Sequence, residues 1–226
     1  MRSCLLRKTE FQCESVYSRR YAKRGTGESE VSLGLGCEKR LCPQLSDPSY
    51  ISNARMPLME TYLMLKLHPQ PITPEAFAPF GQVIFATEDG TAYDSNDAQL
   101  QLQNGTPRFY IMRLPFRGLK FDRITRHHQV TQCLGSLAGN EWFIAVAPSS
   151  QEPAPDWEKI TAFQIPGNCF IKLNVGTWHA GPYFEQPEVE FYNLELSNTN
   201  IVDHDTCNLF ETFGVEYEII YNLSNA

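Results

Sequence analysis

Short runs of β-branched and aromatic residues, each bounded by Gly, Pro, Asn or Asp, recur along much of this sequence. Such runs are typical of β-strands, and many of them at similar spacing predict a sandwich or a barrel. Alternation supports this, because the apolar side chains of Val215–Ile219 share one face while Glu216 and Glu218 share the other. The predicted strands are Gln82–Ala86, Arg108–Leu114, Leu119–Ile124, Val130–Leu137, Glu141–Ala147, Lys159–Ile165, Cys169–Leu173, Glu188–Leu196 and Val215–Tyr221.

A short helix is predicted between an extended segment, Leu63–Leu67, and the first of these strands. Thr73 suits the N-cap position, Pro74 the first helical position and Gly81 the end of the helix. We therefore expect one or two helical turns there.

The first 58 residues differ from the rest and show neither helical nor strand periodicity. We expect residues 1–58 to be a disordered extension and residues 59–226 to be the folded domain. The Arg and Ser content of the extension permits an organellar targeting segment, although Glu10 and Glu14 are atypical of one. Because Met56, Met59 and Met64 precede the first well-patterned segment, the alternative is a non-native extension from an upstream start codon.

Charge and composition exclude several classes of function. Residues 59–226 carry nine Lys and Arg against twenty Asp and Glu, so nucleic-acid binding is not expected. No apolar run approaches the roughly 20 residues that span a membrane. The seven cysteines show no zinc-ribbon spacing. Three of them, Cys133, Cys169 and Cys207, lie in apolar contexts of the folded domain, and this odd number predicts reduced thiols. We expect a cytoplasmic protein, with organellar import through the extension as the alternative.

Three of the five histidines fall in two short blocks, Arg126–Gln132 and Gly176–Pro182. Neighbouring residues of an extended chain point to opposite faces, so only one of His127 and His128 is expected to enter the interior. Elsewhere, Glu190, Asn193 and Glu195 lie on a predicted strand and point either into a barrel or to solvent. For each of these three, solvent is the expectation.

The two histidine blocks resemble the paired motifs of cupins. Ile165-Pro166-Gly167 followed by Gly176-Thr177-Trp178-His179 resembles the second motif with a longer spacing, and His127-His128 with Gln132 stands where the first motif has His-x-His and Glu. The resemblance implies a mainly β, cupin-type (RmlC-like jelly-roll) antiparallel β-barrel with a few short helices. If a divalent metal binds, His127, His128, Gln132 and His179 are its implied ligands, although the neutral amide of Gln132 is a poorer ligand than a carboxylate.

A longer resemblance, from about Leu65 to the C-terminus, is to the ureidoglycolate lyases, once called ureidoglycolate hydrolases. It is particularly close to the plant and cyanobacterial branch of that family. The blocks that carry it are Arg108–Arg113, Arg126-His127, Thr131–Gly135, Asn174–His179, Pro182 and Phe191–Asn200. The resemblance implies a homodimeric carbon–nitrogen lyase of purine-derived nitrogen catabolism, which splits ureidoglycolate into glyoxylate and urea.

The chemistry of that reaction assigns roles to residues in these blocks. A base must take the hydroxyl proton while the carbon–nitrogen bond opens, and His127 or His179 suits that work. Gln132 would polarise or orient the ureido group. Arg113 or Arg126 would hold the substrate carboxylate, since guanidinium pairs with carboxylate through two parallel hydrogen bonds. The candidate substrate-binding residues are Arg113, Arg126, Trp178 and Asn193.

Each assignment has a structural alternative. His179 also fits a packed core histidine bonded to a carbonyl, and Arg113 a solvated charge at the rim. His204 and His68 are expected at the surface. Two other functions remain as alternatives: a metal-dependent cupin enzyme acting on another small carboxylic acid, and a non-catalytic cupin that binds a small metabolite.

Overall fold

The computed structural model describes residues 63–221. The predicted extension, residues 1–58, and the predicted domain boundary at residue 59 lie outside this range. In residues 63–221, no helix is long and apolar enough to cross a membrane.

Strands dominate the described part of the chain. They are β1 Leu63–Leu67, β2 Gln70–Pro71, β3 Gly81–Phe85, β4 Pro107–Pro115, β5 Lys120–Phe121, β6 Arg123–Arg126, β7 Gln132–Ser136, β8 Trp142–Ala147, β9 Thr161–Ile165, β10 Cys169–Leu173, β11 Trp178–Tyr183, β12 Glu188–Leu196, β13 Asp205–Asn208 and β14 Val215–Ile219. The helices are α1 Pro74–Phe77, α2 Thr199–Val202 and α3 Leu209–Phe213, with a 3₁₀ turn at Trp157–Lys159.

These strands form three sheets. Strand order is β3-β10-β7-β12-β4 in a five-stranded sheet, β13-β6-β11-β8-β9-β2 in a six-stranded sheet, and β1-β14-β5 in a three-stranded sheet. Pairing is antiparallel except for the parallel pairs β1 with β14 and β2 with β9. The mainly β, cupin-type fold that the sequence predicts is confirmed.

The five- and six-stranded sheets face each other across one apolar core, which we call the interior. Ile171 and Phe191 from the first sheet and Ile144 and Phe163 from the second belong to the same buried cluster. Alternation along each strand therefore decides which side chains enter the interior.

The outer face of the six-stranded sheet is buried as well. Ala145 and Ala147 of β8 pack there against Phe121, Val215 and Tyr217 of the three-stranded sheet. All six residues of β8 are consequently buried, although they alternate between two different cores.

The start of the predicted helix is confirmed, whereas its predicted end is wrong. Thr73 caps α1, accepting a hydrogen bond from the Ala76 N–H at 3.2 Å. Gly81 does not end the helix but begins β3, since Pro79 has no N–H with which to extend the helix. A Cβ on Gly81 would lie 1.9 Å from the Lys172 carbonyl oxygen, so close strand contact is what requires glycine there.

The strand β11 was not predicted, because its Gly181-Pro182 pair is typical of a turn.

Candidate active site

His127 and His128, adjacent at the end of β6, point to opposite sides. His127 is buried, whereas the side chain of His128 is 52% exposed and its Nε2 lies 3.1 Å from Asp205 Oδ2. The prediction that one histidine enters and one stays outside is confirmed.

Asp203 fixes the chain around His127. Its carbonyl oxygen accepts the hydrogen bond from His127 Nδ1, and its carboxylate accepts the backbone N–H groups of His128 at 2.7 Å and Gln129 at 2.9 Å. No sequence pattern pointed to this residue, because its partners lie more than 70 positions away.

Gly176 connects the two histidine blocks. Its backbone N–H donates to the His127 carbonyl oxygen at 2.7 Å. The φ of Gly176 is +80°, and a Cβ there would lie 2.4 Å from Ser149 Oγ, so only glycine fits this junction.

His179 enters the interior from β11. It stands opposite Val146, which belongs to the interior core, whereas its neighbour Trp178 stands opposite Ala147 and faces the outer core. The His127 and His179 rings lie 5.1 Å apart, centroid to centroid. The two histidine blocks therefore converge.

Hydrogen bonding determines which ring nitrogen carries the proton in each histidine. His127 Nδ1 faces the Asp203 carbonyl, and His179 Nδ1 lies 3.2 Å from the Thr177 carbonyl. Because a carbonyl oxygen only accepts, both Nδ1 atoms must donate. In the neutral rings, each Nε2 then carries the lone pair, the form needed by a base.

Both rings favour that neutral form. Burial lowers the pKa of His127, which the bond to Asp203 only partly offsets. Burial and repulsion from His127 lower the pKa of His179 to about 3. At neutral pH both histidines are therefore uncharged.

A polar network lies on the facing strands at the same end of the interior. Glu195 is fully buried and accepts four side-chain hydrogen bonds of 3.0 to 3.3 Å. Its carboxylate also contributes to the electrostatic environment of His127. The four donors are Tyr110, Gln132, Asn193 and Asn200.

One atom of this network has no partner among the described residues. The Gln132 amide nitrogen is bonded to Asn193 Oδ1 and Glu195 Oε2, but Gln132 Oε1 is buried and accepts no hydrogen bond. A buried acceptor of this kind is costly unless a donor reaches it. It is therefore a candidate contact for a ligand N–H group.

The expectation that Asn193 and Glu195 face solvent is wrong. Both share a face with Val189 and Phe191, so the period of two along β12 carries them into the interior. Glu190 faces outward, as expected, and bonds to Arg113. Because the apolar residues Tyr192 and Leu194 lie half-exposed on the outer face, the sequence of β12 did not show which face is buried.

Three predicted substrate-binding residues lie away from the histidines, and the geometry argues against their assignment. Arg113 is on the outward face of β4, with its side chain 65% exposed and 2.6 Å from Glu190. Arg126 is buried on the other side of β6, bonded to Asp205 and the Ser150 carbonyl and stacked 4.2 Å over Trp178. Trp178 itself belongs to the outer core.

The implied metal ligands do not assemble into a site. His128 points outward, and among residues 63–221 no three His, Cys, Asp or Glu side chains are grouped to hold a metal ion.

His204 completes the histidine cluster. It is exposed, as expected, but its ring lies 5.8 Å from that of His127, and with His179 it lines a cavity of about 400 Å³. Its acidic sequence neighbours gave no sign of this position. His68 is exposed, as predicted.

Comparison with known proteins supports the resemblance seen in the sequence. A family model described as ureidoglycolate lyase matches residues 64–213, more than half of the chain. The chain is 31% identical to the ureidoglycolate lyase of Pseudomonas savastanoi pv. phaseolicola over 128 residues, which cover 51% of this chain and 74% of the relative. It is 26% identical to the ureidoglycolate lyase of Schizosaccharomyces pombe over 145 residues, covering 51% and 76%. This chain belongs to the ureidoglycolate lyase family.

Proposed function

We propose that this protein is a lyase that cleaves ureidoglycolate into glyoxylate and urea, with His179 as the base. The observation that carries the proposal is the convergence of two neutral histidines, each with its Nε2 lone pair available, on an interior that also holds an unpaired amide oxygen. Family membership supplies the substrate, and it favours this reaction over a different metal-dependent cupin reaction or simple binding.

The reaction needs only one proton to move. His179 Nε2 takes the hydroxyl proton, the O–H electrons form the carbonyl of glyoxylate, and the carbon–nitrogen bond breaks. The departing nitrogen takes the proton back from the imidazolium and leaves as urea, so atoms and charge balance. His179 suits this step better than His127 because it also borders the open cavity.

Substrate binding would increase the basicity of His179. In the free protein, burial and the other histidines disfavour the imidazolium. A substrate carboxylate beside the ring would stabilise the positive charge and raise the pKa toward the range where proton transfer is efficient. The base would then be activated only when substrate is present.

The buried network would recognise the ureido group. Gln132 Oε1 is an acceptor without a donor, and the N–H groups of a ureido substituent would satisfy it. Glu195 holds the Gln132 amide nitrogen and so fixes which way this oxygen points.

The test is to incubate the full chain with racemic ureidoglycolate and to measure glyoxylate, urea and ammonia. A lyase releases glyoxylate and urea in equal amounts, without ammonia. His179→Ala should lower kcat by about 10² to 10⁴-fold, the usual contribution of a general base. His128→Ala is the matched control and should retain activity, because its side chain faces outward. Ammonia release, or full activity in His179→Ala, would refute the proposal.

We also propose a homodimer that forms through the outer face of the five-stranded sheet. Phe109 and Ile111 on the edge strand β4 are 66% and 55% exposed, and Tyr192 stacks between Phe109 and Phe170 at 5.7 and 5.8 Å. Exposed apolar surface of this kind is typical of an interface. By light scattering, Ile111→Lys should shift the protein to monomer. Ile201→Lys, at an exposed apolar residue on α2, should not.

A further inference from the structure

The cavity that His179 borders has an unusual charge for this chain. Residues 59–226 carry a large excess of acidic side chains, yet this cavity is lined by Arg117, Lys120 and Arg123 against one carboxylate, Asp122. Three cations around a cavity of about 400 Å³ create a positive potential that favours a small anion.

These cations are only weakly neutralised by the protein. Arg123 Nε lies 4.0 Å from Asp122 Oδ1, and Lys120 Nζ lies 3.7 Å from Glu218 Oε1, both at the outer limit of an ion pair. Arg117 forms no ion pair with any of the residues 63–221. By contrast, the guanidinium groups of Arg113 and Arg126 are held by carboxylates at 2.6 and 2.8 Å. Arg117 and Arg123 are thus the arginines at this site whose donors remain available.

Strand register places Arg123 beside the proposed base. Thr125 of β6 pairs directly with His179 of β11. Arg123 lies two residues before Thr125, so both side chains leave the same face of the strand, about 7 Å apart at their Cα atoms. Arg123, Thr125 and His179 all line the cavity. A small molecule in contact with His179 is within reach of the Arg123 guanidinium.

The chemistry of the substrate requires this proximity. In ureidoglycolate the carboxylate is attached directly to the carbon whose hydroxyl group loses its proton. A cation that binds the carboxylate must therefore border the base. Arg113 and Arg126 fail this condition, because the first faces outward and the second points into the outer core.

We propose that Arg123, assisted by Arg117, binds the substrate carboxylate and makes the site selective for small 2-hydroxy and 2-oxo acids. This inference rests on the proposed function. The substrate lies across His179, with its carboxylate at Arg123 and its ureido group toward Gln132. Neutral analogues such as esters lack the charge that this end of the site recognises.

The experiment compares Arg123→Gln and Arg117→Gln with Arg113→Gln in the full chain. Charge-assisted hydrogen bonds are the strongest available here, so Arg123→Gln should raise KM for ureidoglycolate about 10 to 100-fold, with a smaller change in kcat. Arg117→Gln should raise KM by a smaller factor. Arg113→Gln, equally exposed but on the outer face, should leave KM unchanged. Arg123→Lys should recover part of the loss.

Binding of glyoxylate, measured by calorimetry, separates this inference from the lyase proposal. Wild type and Arg113→Gln should bind glyoxylate, and Arg123→Gln should bind it at least tenfold more weakly. If wild type turns over ureidoglycolate and Arg123→Gln has an unchanged KM, the carboxylate site is refuted while the lyase stands. If turnover is absent but glyoxylate binding depends on Arg123, the lyase is refuted and the anion site stands. Absence of both refutes both.

Discussion

The interior has two ends that differ in chemistry. Around Phe163 it is apolar and closed, with the rings of Phe77 and Phe80 in contact at 5.2 and 5.7 Å. Around Glu195 it is polar, hydrogen-bonded and lined by histidines. Strand β12 runs through both, passing from Phe191 to Asn193 within two residues. Apolar packing is therefore concentrated at one end and chemistry at the other. A change at the apolar end should affect stability alone, whereas a change at the polar end should affect both stability and activity.

The largest effect on stability is expected at the apolar end. Phe163→Ala removes a fully buried ring and should lower the free energy of unfolding by about 3 to 5 kcal/mol. Turnover per folded molecule should change by less than about threefold, because the histidines lie elsewhere. Denaturant titration and kinetics on the same sample measure both quantities. A large loss of kcat with intact folding would show that the apolar end also controls activity.

The polar end should respond in both properties. Glu195→Gln replaces an acceptor by an amide that places a donor among four existing donors. Leaving buried donors unpaired costs about 1 to 3 kcal/mol, and misdirection of Gln132 should lower kcat/KM at least tenfold. Asn200→Ala removes one peripheral donor and is the milder control. Equal effects of the two substitutions would argue against a central role for Glu195.

Acid should destabilise the protein through the polar end. The pKa of His179 is lowered from 6.5 to about 3, so between these values the unfolded chain binds a proton that the folded chain does not. The contribution of His179 to the free energy of unfolding is therefore fully present above about pH 6.5. It decreases as the pH falls, by at most about 1.4 kcal/mol per pH unit. Unfolding of wild type and His179→Gln should be compared at pH 7 and pH 5. An identical loss in both would show that His179 does not contribute.

A further effect is expected at the junction of the two histidine blocks. Gly176→Ala forces a positive φ on a residue with a Cβ and creates a clash with Ser149, and should cost about 1 to 3 kcal/mol. Activity should fall with it, because the Gly176 N–H holds the His127 carbonyl. The melting temperature and kcat report the two effects. Gly139→Ala also has a positive φ but has open space around it, and it should leave kcat unchanged.

Most of the fold followed from local patterns, whereas only part of the site did. All nine predicted strands overlap observed ones, because each is a run of β-branched and aromatic residues bounded by turn residues. His127, His179 and Gln132 were named from their residue types and motifs, and the two histidines do lie close together, while their catalytic roles stay predictions. The buried position of Glu195 and the place of Arg123 beside the histidines were missed, because both depend on how distant strands pair. Pairing of β6 with β11 places the face of β6 that carries Arg123 on the side of His179, and Arg126 on the opposite side. No local pattern specifies this pairing.

The most direct test concerns the protonation of the two interior histidines. Nitrogen NMR of the histidine rings, with His127→Gln and His179→Gln for assignment, reports the tautomer and the titration of each ring. Both rings should be neutral at pH 7 and above, with the proton on Nδ1 and the lone pair on Nε2, and both should titrate below the ordinary pKa of 6.5, His179 far below it. A proton on Nε2, or titration of either ring at or above pH 6.5, would contradict the assignment of a neutral histidine base.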